Sequence, residues 1–153
     1  MSKELKIILL ALAGIFVIIQ FIPANKPANE PSDYDFFESN MVPADIELMI
    51  RTSCFDCHSQ EVKYPWYAHI APSSWLVARD IRHGRHHLDF SKWNDLDKRK
   101  KLDALDEISD EVKHGDMPMP IYTIIHTDAK LTQEQRNKLI DWADDLAEKV
   151  FEE

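Results

Sequence analysis

Glycine is nearly missing from this 153-residue chain, which holds only Gly14, Gly84 and Gly115, where average usage would supply roughly ten. A fold that turns through many left-handed backbone positions, such as a multi-hairpin sandwich or a barrel, is hard to build from so few. No G-x-G-x-x-G and no P-loop is present, which removes the usual dinucleotide and nucleoside-triphosphate enzymes. Cysteine is limited to Cys54 and Cys57, at most one disulfide's worth. Positive charge is in deficit, with 18 Lys and Arg against 27 Asp and Glu and a net charge of -9. That balance speaks against a nucleic-acid partner, because affinity for phosphate backbones depends on excess Lys and Arg.

Long uncharged runs are confined to one place. Ile7 to Ile19 are thirteen uncharged, mostly β-branched or leucine side chains, continued by Gln20, Phe21 and Ile22 and preceded by Lys3 and Lys6. As a helix, Ile7 to Ile22 would rise about 24 Å, a little less than a hydrocarbon core of about 30 Å. Residues 1–22 therefore read as a membrane anchor or signal segment. A cleaved signal would want small residues before the cut, and Ala24 with Ile22 two positions earlier is a poor match, so an uncleaved transmembrane signal-anchor helix is expected. Two lysines before the span against a lone Lys26 behind it orient the N-terminus inside and the rest outside. The stretch from Pro23 to Pro31 nearly repeats a four-residue motif and contributes no core former. Residues 23–33 thus read as a Pro-rich linker, extended enough to hold a domain of residues 34–153 up to roughly 30 Å from the bilayer.

Within that domain the periodicity is helical. Pro43 to Ser53 carries Ile46, Met49 and Ile50, with Asp45 and Glu47 where the dipole favours them, and runs straight into Cys54. Pro72-Ser73-Ser74 opens a second helix with Trp75, Leu76, Ala78 and Ile81, and Gly84 falls where a C-terminal cap is wanted. Leu102, Leu105, Ile108 and Val112 stripe a charged helix from about Asp97 to His114, with Gly115 just past its end. The last helix begins at Thr132, which pairs with Gln135 as a capping box, and turns Leu139, Trp142 or Ala143, Leu146 and Val150 inward. No alternating strand is convincing, and Ile121 to Ile125 is too short to decide. The fold class expected is all-α.

Both cysteines lie in Cys54-Phe55-Asp56-Cys57-His58. This C-x-x-C-H spacing lets two thiols add to the two vinyl groups of a haem while the adjoining histidine reaches under the ring to bind iron. A Cys54–Cys57 disulfide uses the same residues. A thioredoxin-like motif would need a surrounding βαβ pattern, and a zinc site would need two further ligands, of which no second cysteine pair exists. The motif points to covalent haem c, with His58 as one iron ligand.

A low-spin cytochrome needs a second axial ligand. Gly115-Asp116-Met117-Pro118-Met119-Pro120 offers a thioether on a proline-stiffened loop after a helix end, with Met117 preferred over Met119. His69, His114 and His126 are rivals, whereas His83, His86 and His87 with Arg82 and Arg85 read as a solvated basic patch. Tyr64-Pro65-Trp66-Tyr67 and Trp75 follow the motif closely and are expected to cover the haem edge. Arg79, Arg82 and Arg85 are candidates for pairing with propionates.

These pieces together resemble a family of small bacterial haem-binding-domain proteins, membrane-anchored and similar in layout to cytochromes c. The resemblance runs through CFDCHS (Cys54 to Ser59), YPWYAHIAP (Tyr64 to Pro72), Ser74-Trp75-Leu76, LDFSKW (Leu88 to Trp93), GDMP (Gly115 to Pro118), and Tyr122, His126 and Ala129. It implies haem held by Cys54 and Cys57 with His58 proximal, in a cytochrome c-like helical domain. With the anchor, it implies a single-pass protein of a bacterial inner membrane whose domain faces the periplasm. Two functions follow. One is a single-electron carrier whose acidic surface docks a redox partner with a basic face. The other is a haem peroxidase or gas or redox sensor with a displaceable sixth position, where His126 or Tyr122 would assist.

Overall fold

A computed structural model describes residues 2–30 and 32–152. Among them there is no strand, as the glycine scarcity predicts. Eight α-helices follow in order: α1 (Lys3–Ile19), α2 (Phe36–Ser39), α3 (Ala44–Ser53), α4 (Phe55–His58), α5 (Ser73–His87), α6 (Lys98–His114), α7 (Pro120–Ile125) and α8 (Gln133–Glu152). Short 3₁₀ turns cover Trp66–His69, Phe90–Asp95 and Thr127–Ala129.

Local chemistry accounts for most boundaries. Asp97 caps α6 by accepting from the Lys100 amide at 2.9 Å. Gly115 ends it at φ +82, in the left-handed region open to glycine. Thr132 and Gln135 close a reciprocal box at the start of α8, with bonds of 2.8 and 3.2 Å. The undecided Ile121 to Ile125 is helical, because Pro120 supplies the first-turn φ and its missing N–H is not needed there.

The core is an antiparallel α6–α8 pair closed by α2, α3 and the Phe90–Asp95 turn. Lys98 at the start of α6 reaches the Phe151 carbonyl at the end of α8, while Arg136 near the start of α8 reaches the Val112 carbonyl near the end of α6. Leu105, Val112, Leu139, Trp142, Ala143, Leu146 and Val150 fill the seam, so both Trp142 and Ala143 face inward. Phe36 sits among Phe37, Phe90, Trp93 and Trp142 at centroid distances of 4.8 to 6.3 Å. Burying one such ring stabilises by roughly 1.5–3 kcal/mol.

Two expectations about the N-terminal third are corrected. Helix α1 has 17 residues, about 25 Å of rise against the roughly 30 Å of a hydrocarbon core. Among the described residues no helix is long and apolar enough to cross a membrane, so the transmembrane helix is not borne out. The linker is not a free spacer either. Asn29 exchanges two hydrogen bonds with the Val62 backbone, Nδ2 donating at 3.0 Å and Oδ1 accepting at 3.1 Å. The Tyr64 hydroxyl donates to the Pro27 carbonyl, and Arg82 donates to the Asn25 carbonyl at 2.9 Å. Pro31 lies outside the described residues. Residues 25–29 are a strap across the domain, held through the Asn25, Pro27 and Ala28 carbonyls and the Asn29 side-chain amide.

Arg85 joins that strap to the C-x-x-C-H segment. Its guanidinium donates to the Ser59 carbonyl at 2.8 Å, to the Ala28 carbonyl at 2.8 Å and to Asn29 Oδ1 at 3.2 Å. Arg85→Ala is expected to cost about 2 kcal/mol, charge-assisted bonds at a half-buried site counted at a discount. Hydrogen exchange checks this, since the Val62 amide, held by Asn29, should lose protection before the α6–α8 seam does.

Candidate haem site

Phe55 is 8 % exposed and stacks on Phe90 at 6.0 Å while meeting Phe37 at 5.4 Å. The apolar residue between the cysteines thereby plugs α4 into the aromatic core. Its neighbour Asp56 points the other way, accepting from the Lys63 amide at 3.2 Å and from the Tyr122 hydroxyl at 3.1 Å.

Gly84 is not the cap that its spacing suggests. Helix α5 continues through it to His87, and a Cβ built there would lie 2.7 Å from the Cys57 carbonyl oxygen. Only glycine lets α5 approach the α4 backbone this closely. The cost of an unsubstituted residue in mid-helix is accepted for that contact.

Beside this contact opens a cavity of about 500 Å³, within the range of built cofactor sites. Cys54, Cys57 and His58 line it, as do Met117 and Met119, with Ile50, Leu88, Phe90, Leu139 and Trp142 among its apolar walls. His58 Nδ1 lies 3.0 Å from the Leu88 carbonyl oxygen. A carbonyl only accepts, so Nδ1 carries the hydrogen and Nε2 keeps its lone pair for a ligand. Burial holds the imidazole below its ordinary pKa, against the opposing pull of the Leu88 carbonyl. His58 is thus a neutral, oriented nitrogen donor.

Both cysteines are free thiols, and burial pushes each up to about 12. A thiol-disulfide exchanger needs the opposite shift. The upward shift gives the thioredoxin-like alternative no support, and among the described residues no βαβ unit surrounds the motif.

The methionine loop is fixed at its backbone. The Gly115, Asp116 and Met117 amides all donate to the Glu111 carbonyl at 3.0 to 3.1 Å, and Arg136 Nη1 donates to both the Val112 and Met117 carbonyls at 2.8 and 3.1 Å. Met117 is therefore held on both sides of its Cα. Met119 serves as the N-cap residue of α7.

Other sequence-based candidates stand elsewhere. Tyr64, Trp66, Tyr67 and Trp75, expected against the haem, do not line the cavity. Tyr64 binds the strap, and Trp75 Nε1 donates to the Ile22 carbonyl at 3.2 Å. The Tyr67 hydroxyl lies 2.7 Å from His126 Nε2, and Trp66 is 72 % exposed. Their clustering after the motif reflects the docking of the N-terminal strap and of α7. Of the rival histidines, His69 contacts Lys26 and His114 contacts the Asp110 carbonyl, and neither these nor His126 lines the cavity. His83 and His87 do, with Arg79. Arg82 and Arg85 are taken by strap carbonyls, which leaves Arg79 alone of the three proposed propionate partners at the cavity.

Three residues escaped the sequence reading. Ser53 is 8 % exposed, its Oγ has no protein partner, and it lines the cavity. Such an orphan is costly unless a ligand group satisfies it. Asp56 and Arg136 act through backbone and hydroxyl partners that spacing does not reveal.

All four tyrosines are shifted upward, in each case chiefly by burial. A raised folded-state pKa means that the neutral phenol is the form the fold favours. This stabilisation is complete below about pH 10 and drains away as pH rises past it toward the folded values. Phenolate absorbance is expected to appear together with loss of helical circular dichroism, not before it.

The walls fit a haem: an apolar slot, a nitrogen ligand with its tautomer fixed, thioethers on a braced loop, and an unpartnered hydroxyl. In comparison with known proteins, a family model described as a haem-binding domain matches residues 14–145. No curated protein and no solved structure matches the chain.

Proposed function

Since the chain belongs to the haem-binding-domain family and takes haem as its cofactor, we propose that it is a monohaem c-type electron carrier, attached to a membrane through α1 and working outside the cytoplasm. The observation that carries this reading is the placement of His58, with Nδ1 tied to Leu88, in the same cavity as the braced Met117. Bound haem supplies an iron that alternates between ferrous and ferric states. Cys54 and Cys57 would tether the group, and His58 Nε2 and the Met117 thioether would be the ligands offered to its iron. The braced loop would hold the thioether in place, and the apolar walls would limit water. Arg79 lines the cavity while donating to Asp80 Oδ1 at 2.9 and 3.0 Å, and a propionate would share that guanidinium with Asp80.

The net charge of -9 supports a partner with a basic docking face. The enzyme or sensor alternative wants a free acid-base group over the iron, yet His126 Nε2 is engaged by Tyr67 outside the cavity, and Tyr122, which does line it, has its hydroxyl committed to Asp56 at 3.1 Å. Absorption spectra test the choice. Wild type is expected to be low-spin in both oxidation states and indifferent to carbon monoxide, and Met117→Ala to become high-spin and take up carbon monoxide in the ferrous state. A wild type that binds carbon monoxide readily would overturn the carrier reading.

A further inference from the structure

We propose that the domain sits directly on the lipid surface, held there by a clamp between the end of α1 and the loop before α5, with Trp66 and Ile70 forming an apolar collar that enters the interface. This rests on the membrane attachment proposed above, and it adds a fixed orientation that a tethered domain would not have.

The clamp is specific. Gln20 donates from Nε2 to the Ala71 carbonyl at 3.1 Å and accepts from the Ala71 amide through Oε1 at 2.9 Å. Two residues on, the Ile22 carbonyl accepts from Trp75 Nε1 at 3.2 Å. The backbone between them stays helical in character, since Gln20, Phe21 and Ile22 amides bond to Val17, Ile18 and Ile19 carbonyls. Past it, Lys26 Nζ lies 2.8 Å from His69 Nδ1, and residues 25–29 lie strapped to the domain. No slack remains between helix and domain, so whatever medium α1 enters begins at the Ala71 loop.

The occupant follows from α1 itself. None of its residues is buried, and its side chains from Ile7 to Ile19 carry no charge. A helix apolar on every side, with no protein packed on it, requires a hydrocarbon environment. Ile7 to Ile22 falls about 6 Å short of a full core at 1.5 Å per residue. That length does not cross a core, and the exposed side chains beside the clamp widen the apolar surface that meets the lipid. Phe21 is 83 % exposed, Ile22 52 %, Trp66 72 % and Ile70 38 %. Trp66 and His69 are the first and last residues of one 3₁₀ turn, where positions three apart eclipse. Trp66 therefore projects on the side of His69 and Lys26, beside the exit of the helix. Tryptophan and lysine are the side chains that interfaces favour.

Photocrosslinking separates the outcomes. The haem-loaded full chain is incorporated into phosphatidylcholine vesicles doped with a lipid bearing a diazirine near the top of its acyl chain, and adducts are localised by peptide mass spectrometry. Adducts are expected on α1 and also on Trp66 to Ile70, and Gln20→Ala is expected to lower the second yield about fivefold relative to the first as two hydrogen bonds are lost. Adducts on α1 alone would overturn the seating and leave membrane attachment standing. Adducts on neither would overturn both.

Discussion

Gly84→Ala is expected to lower the stability of the domain by about 2–3 kcal/mol, the usual cost of forcing extra volume into a packed contact. The introduced Cβ would stand 2.7 Å from the Cys57 carbonyl oxygen, 3.2 Å from its carbon and 3.3 Å from Cys57 Cβ. None of these is the end of a flexible side chain, so α5 or α4 must move. The sign of the effect discriminates between two roles for this glycine. At an unpacked mid-helix position alanine would stabilise by about 1 kcal/mol through propensity alone. A lower melting temperature, by roughly 10 °C for a domain of this size, accompanied by loss of the His58–Leu88 contact, is the predicted result. A raised melting temperature would show that the close approach does not matter.

The second large effect concerns His58. In the haem-loaded chain His58→Ala is expected to abolish the six-coordinate spectrum while the haem stays on Cys54 and Cys57. Removing merely the hydrogen-bond partner of a ligating histidine costs about 10–100-fold in metal affinity, so removing the ring should exceed about 100-fold. Added imidazole should enter the space below the Leu88 carbonyl and restore the low-spin spectrum. Loss of fold would also change the spectrum, but it would not be rescued by imidazole. An unaltered spectrum would place the iron ligand elsewhere.

Much of the fold was legible because its causes are local. The stripes of Leu102, Leu105, Ile108 and Val112 and of Leu139, Leu146 and Val150 specify two helices, and Gly115 and the Thr132–Gln135 pair mark their ends. C-x-x-C-H is legible for the same reason: its chemistry is written in adjacent residues. Gly84 was misread because a glycine that ends a helix and one that admits a neighbouring backbone look alike in sequence, and only the 2.7 Å approach to Cys57 separates them. Tyr64, Trp66, Tyr67 and Trp75 lie close to the motif in the chain but do not line the cavity, because long-range partners such as Pro27, His126 and Ile22 hold Tyr64, Tyr67 and Trp75. The strap was missed because prolines and asparagines promise extension, and the bonds that fold it back come from Arg82 and Arg85 more than fifty residues away.

Covalent attachment of haem through Cys54 and Cys57 is tested by acid–acetone extraction of the denatured, haem-loaded protein. One haem per chain is expected to stay with the polypeptide, and the Cys54→Ser, Cys57→Ser double variant to release all of it into the solvent. Haem extracted from the wild type as freely as from that variant would contradict it.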